Sequence, residues 1–195
     1  GSYNIAIGYD ALQQNNAGQN TAVGHDALKL NTSGYSCTAV GAGALDNNTT
    51  AYFNSAFGVD ALRSCTTGVQ NNAFGQSCLA AVTTGSHNIA IGVNAGDAIT
   101  TGNGNVCIGN AAGTNRTTGS DLTALGNSAS FSNTTAGQNT AIGGAALYNN
   151  QTGNNNVAVG TNALYSCTGA NNTAVGRYAN MLLTTANSNQ SFGYN

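Results

Sequence analysis

Five cysteines, two histidines and six aspartates are the thiols, imidazoles and carboxylates from which this chain could build a catalytic or metal site, and glutamate is absent. A nucleophilic site needs a thiol or hydroxyl beside a base, and a zinc site needs cysteines or histidines at short, paired spacing. Cys37, Cys65, Cys78, Cys107 and Cys167 include no Cys-x-x-Cys pair, and His25 and His87 lie far apart with no recognisable nucleophile setting. The cysteines are therefore expected to be free thiols that fill space as small apolar residues, which suits folding in a reducing compartment. The histidines are expected at exposed turns. Gly102-x-Gly104 lacks the third glycine and following helix of a dinucleotide fingerprint. No catalytic residue, cofactor or metal ligand is assigned, and the chain is not expected to be an enzyme.

Charge and composition narrow the remaining classes. Only 5% of the 195 residues are charged, the formal net charge is −2, and proline and tryptophan are absent. Four scattered Lys and Arg residues offer no surface for phosphates, so a nucleic-acid partner is not expected. No apolar run approaches the roughly 20 residues that span a bilayer, and the first residues lack the pattern of a signal peptide, so no membrane insertion is expected in this segment. Disorder fits poorly, because 41% of the residues are hydrophobic and they recur regularly.

That regularity comes from a repeat. One glycine recurs as Gly8, Gly24, Gly41, Gly58, Gly75, Gly92, Gly109, Gly126, Gly143, Gly160, Gly176 and Gly193, at a spacing of 17, or 16 at the first and tenth steps. Positions are numbered below from this glycine. Position −1 is always large and apolar, from Ile7 and Val23 to Phe192, and position −2 is nearly always Ala, with Cys107 and Ser191 as exceptions. An Ala-Leu pair follows the glycine, as in Ala27-Leu28 and Ala61-Leu62, and a second glycine such as Gly34, Gly68 or Gly85 marks a second turn.

A short apolar run between turn formers reads as a strand, so the unit is expected to be one flattened coil with two strands and two turns. A single coil cannot bury its own apolar row, whereas stacked coils place Val on Val and Leu on Leu. The expected fold is all-β: a parallel β-solenoid of about twelve coils forming one continuous array over residues 1–195, an excerpt of a longer fibre. The large −1 residues are expected to fill the lumen and the Ala row to point outward against another copy, most simply three rods about one axis. The converse, with Ala inside a narrow lumen and the large residues facing a partner, remains open.

Stacking turns single residues into columns. Asn at −4 (Asn4, Asn20, Asn54, Asn71, Asn88, Asn105, Asn139, Asn156, Asn172 and Asn189) is expected to form an amide ladder. Thr pairs at +8 and +9, such as Thr83-Thr84, are expected to stack at a turn. Asp10, Asp26 and Asp60 share position +2; Asp10 and Asp26 fall on neighbouring coils, where their like charges could attract a cation, although the calcium pattern of known repeat loops is missing. Position +5 begins Gln13, Lys29, Asp46, Arg63, an alternating charge ladder, and later becomes Phe131, Tyr148, Tyr165, Met181. That apolar strip needs a cover: a neighbouring subunit, a long turn, or a sugar or receptor.

The unit Asn-x-Ala-[Val/Ile]-Gly-x-x-Ala with its Gly-containing turn resembles the head repeats of trimeric autotransporter adhesins. It resembles more closely the Asn-Thr-Ala-x-Gly-x-x-Ala-Leu arrays of phage tail fibres and related bacterial surface proteins. The resemblance covers essentially the whole chain and implies a left-handed β-roll assembled as a homotrimer, extracellular, on a virion or a cell surface. The function it implies is a structural and adhesive fibre segment, with a host-surface glycan or protein as receptor. The alternatives are a bacterial surface filament or adhesin and a monomeric ice- or carbohydrate-binding solenoid.

Overall fold

A computed structural model describes residues 1–194 as twelve three-residue strands, from Ile5–Ile7 to Gln190–Phe192, in one parallel sheet whose spatial order follows the sequence. Each strand pairs in register with the next: Thr21 with Thr38, Ala22 with Ala39, Val23 with Val40. The two 16-residue coils keep this register, since Ala6 still pairs with Ala22 and Ala158 with Ala174. In the latter coil the shortening falls in the second turn, where Cys167 is two residues from Gly169, while the equivalent Cys65 is three from Gly68.

Two expectations are corrected by the structure. The first concerns which side of the strand faces inward. Ala22, Ala39, Ala56, Ala73, Ala90 and their equivalents at −2 are fully buried, whereas Phe57, Phe74 and Ile91 at −1 are 36%, 40% and 43% exposed. The lumen already holds the +4 leucines (Leu28, Leu45, Leu62, Leu79, Leu147, Leu164), the −4 asparagines and the +7 side chains. Only a methyl group fits opposite them, so the large strand residues are turned outward by the alternation of the strand.

The second correction is that, among the described residues, the opposite wall contains no strand. It is a run of overlapping tight turns, with Ala27 N–H donating to Gly24 O, Lys29 N–H to Asp26 O and Asn31 N–H to Leu28 O. Residues at +2 and +4 have positive φ, as at Asp26 (58°), Leu28 (50°), Asp60 (57°) and Leu62 (51°). Alternate right- and left-handed residues still aim amides along the rod, so Leu28 N–H donates to Ala44 O and Leu30 N–H to Asp46 O on the next coil. Asp and Asn at +2 suit this backbone because they tolerate the left-handed region better than most side chains.

In two coils the +4 and +7 columns exchange volume. Where Leu at +4 is replaced by Gly96 or Gly113, position +7 carries the large Ile99 or Arg116. A Cβ on Gly96 would lie 3.0 Å from both Ile99 Cδ1 and Leu79 Cδ2, so the glycine makes room for the isoleucine.

Candidate functional site: an apolar strand wall and its supporting ladders

The side chains at −3, −1 and +1 form the outer face of the sheet. Along it lie Ile5, Ile7 and Tyr9, then Phe57 and Val59, Phe74, and Ile89, Ile91 and Val93, all exposed. Position −1 is apolar in all twelve coils, so the ridge is unbroken from Ile7 to Phe192. Eleven strand spacings give it a length of about 53 Å, and five residues across give a width of about 13 Å. The resulting area, about 700 Å² per copy, is close to the roughly 800 Å² each partner contributes to a standard protein interface. The apolar part of this face is the −1 ridge, flanked by mostly polar residues at −3, such as Thr21, Thr38 and Asn72, and by mixed residues at +1, such as His25, Gln76 and Val93.

Behind the wall, the −4 asparagines hold the coils in register. Asn88 Nδ2 donates to Gly102 O at 2.9 Å, and its Oδ1 accepts the backbone N–H of Asn105 at 3.0 Å. The same pair of bonds recurs at Asn54, Asn71, Asn105, Asn139, Asn156 and Asn172. The expected amide ladder is thus mainly side chain to backbone, with amide-to-amide bonds added from Asn105 to Asn88 (3.0 Å) and from Asn88 to Asn71 (3.1 Å). A second amide column, at +7, was not read from the sequence: Asn31 Nδ2 donates to Asn15 Oδ1 and Asn48 Nδ2 to Asn31 Oδ1, both at 2.7 Å. Its signal was present, because Asn15, Asn31, Asn48, Asn133 and Asn150 share that position.

Cys37 occupies a −4 rung and lacks the oxygen that Asn54 N–H would use. Its Sγ lies 3.5 Å from Ala51 O, the carbonyl an asparagine amide would reach from that position. Cys37→Asn is expected to restore both bonds and to raise stability by about 1 kcal/mol, read as a higher urea midpoint at unchanged slope.

The other residues singled out in the sequence have structural roles. All five cysteines are free and buried, and burial pushes the thiols up, to about 11 at Cys37 and about 12 at Cys65, Cys78 and Cys107. At neutral pH they are protonated and poorly nucleophilic. The Asp10–Asp26 repulsion is met by Lys29, whose Nζ lies 3.0 Å from Asp26 and 3.3 Å from Asp10. Those hydrogen bonds, Asp26 first, hold the ammonium above its ordinary value. The Thr stack at +8 forms, with Thr83 Oγ1 donating to Thr100 O and Thr100 Oγ1 to Thr117 O.

The +5 strip is brought together as well. Phe131 and Tyr148 stack at 5.0 Å and 4°, and Tyr148 and Tyr165 at 5.0 Å and 10°, with Met181 on the next coil. Both faces of the Tyr148 ring are covered by its neighbours, so this ladder joins coils and presents ring edges outward. Arg116 is a buried charge at +7, and burial lowers its guanidinium to about 10. It donates to Gly119 O, Asn133 Oδ1 and Ser120 O, taking over the amide bonds of the asparagine it replaces.

Comparison with protein-family models, with curated proteins and with solved structures finds no match to this chain. Among the described residues, no helix is long and apolar enough to cross a membrane.

Proposed function

We propose that this chain is a rigid segment of an attachment fibre, built as a homotrimer whose copies meet along their strand walls, on a virion tail fibre or a cell surface. The observation that carries this reading is the unbroken apolar ridge at −1, exposed or half-exposed in every coil of a single chain. A repeating lumen adds length in equal steps without changing cross-section, which suits a spacer or shaft. The shortage of charge on the chain also suits a wall that is covered in its working state.

Sedimentation equilibrium tests the assembly. The wild-type chain is expected to run at an integer multiple of 19.4 kDa, three in the proposed form, at micromolar concentration. Ile91→Asp places a carboxylate in the middle of the ridge, and an uncompensated buried charge costs roughly 3–5 kcal/mol. That variant is expected to retain its circular dichroism spectrum and to sediment as a single chain. A wild-type species of 19.4 kDa at the same concentration would overturn the reading in favour of a monomeric binding solenoid.

A further inference from the structure

The +5 column carries a missing rung. It runs Arg63, Ala80, Asp97 on three successive coils, so one short side chain separates a guanidinium from a carboxylate two strand spacings away, about 9.6 Å. The gap opens as a notch of about 430 Å³, lined by Asp60, Ser77 and Asn94 from position +2, Arg63 and Asp97 from +5, and Ser64 beside them, with Ala80 and Ala81 as its floor. This size falls within the range of small-molecule sites. The notch lies on the wall of turns, opposite the apolar ridge, and stays open when strand walls meet.

Its chemistry is mixed. Asp60 is 3.7 Å from Arg63, whereas Asp97 makes no ion pair among the described residues; its Oδ1 is buried without a hydrogen-bond partner at the edge of the notch. Burial pushes the Asp97 carboxyl above its ordinary range. A metal ion would meet the Arg63 cation, and a phosphate would meet two carboxylates. A ligand whose groups both donate and accept hydrogen bonds matches the mixed rim of Arg63, Asp60, Ser77, Asn94 and the accessible part of Asp97, and the two alanine methyls offer its C–H face an apolar contact. We infer that the Ala80 notch binds one neutral pyranose unit of a glycan. This deepens the attachment half of the function proposed above by naming a ligand class, and it stands independently of self-association.

Saturation-transfer NMR on the full chain tests it, with methyl glucoside, galactoside, mannoside and N-acetylglucosaminide as probes. At least one pyranoside is expected to receive saturation and to bind in the millimolar range. Ala80→Tyr refills the rung with a side chain the same column carries at Tyr148 and Tyr165, and is expected to weaken binding at least tenfold. Asp97→Asn is expected to weaken it similarly without altering the circular dichroism spectrum. Ile91→Asp, which tests the strand wall, is expected to leave pyranoside binding unchanged. Absence of transfer to all four probes, or undiminished binding in Ala80→Tyr, would overturn the assignment. So would displacement of the bound sugar by calcium or glycine at equimolar concentration, since either would show that charge selects the ligand.

Discussion

Gly92→Ala is expected to disrupt the centre of the rod, with a loss of more than about 4 kcal/mol, in the range reserved for severe backbone and packing conflicts. Two independent conflicts act at this position. Its φ of 131° belongs to a region that side-chain-bearing residues rarely enter. A Cβ there would also stand 2.5 Å from Gly109 O and 2.7 Å from Gly109 C, both backbone atoms of the next coil. No rotamer relieves a Cβ clash, so either the coil spacing widens or the strand pair opens. Because each coil touches only its neighbours, the damage should be local at first. Hydrogen exchange should accelerate at the Ile89–Ile91 and Val106–Ile108 strands, while the terminal coils change less. Protection at those strands equal to wild type would show that coils do not approach as closely as the structure places them.

Asn88→Leu, nearly equal in volume, is expected to cost about 3–5 kcal/mol, from leaving two or more buried polar groups unpaired. Gly102 O loses a donor at 2.9 Å, Asn105 N–H loses its acceptor at 3.0 Å, and the amide bonds to Asn71 and Asn105 vanish. The chain itself shows when leucine is tolerated in this column. Leu122 occupies a −4 position, but it lies beside Gly113, whose Cβ would come 3.3 Å from Leu122 Cδ2. Asn88 has Leu79 in the equivalent place, so a second leucine there finds no such space. An unchanged urea midpoint in Asn88→Leu would mean that the ladder follows from the stack rather than holding it.

The stack itself was legible in the sequence because a single constraint, the Gly–Gly contact between coils, recurs at nearly fixed spacing in all twelve units. The inward side of the strand was not legible from apolarity, since Ala at −2 and Val or Ile at −1 are both apolar. It was decided by volume: Leu28 and its equivalents, with the asparagines, leave space only for a methyl group. The turn-built wall was missed because Ala-Leu reads as strand, although Asp10, Asp26, Asp60, Asn94 and Asn162 at +2 signalled left-handed backbone. The notch was also within reach of the column reading. Ala80 is the smallest side chain of the +5 column, but its significance depends on which of its neighbours share the outer wall.

The central claim is that the −1 ridge is covered by another copy of the same chain, and proximity at that ridge tests it most directly. Ile91→Cys adds one accessible thiol to a chain whose own five are buried. Treatment with a short bis-maleimide under native conditions is expected to give a covalent product of about twice the 19.4 kDa chain mass. The same thiol placed at Thr84, exposed on the second turn, should yield single labelled chains. Quantitative labelling of Ile91→Cys as separate chains would contradict the claim and leave the apolar wall facing something other than itself.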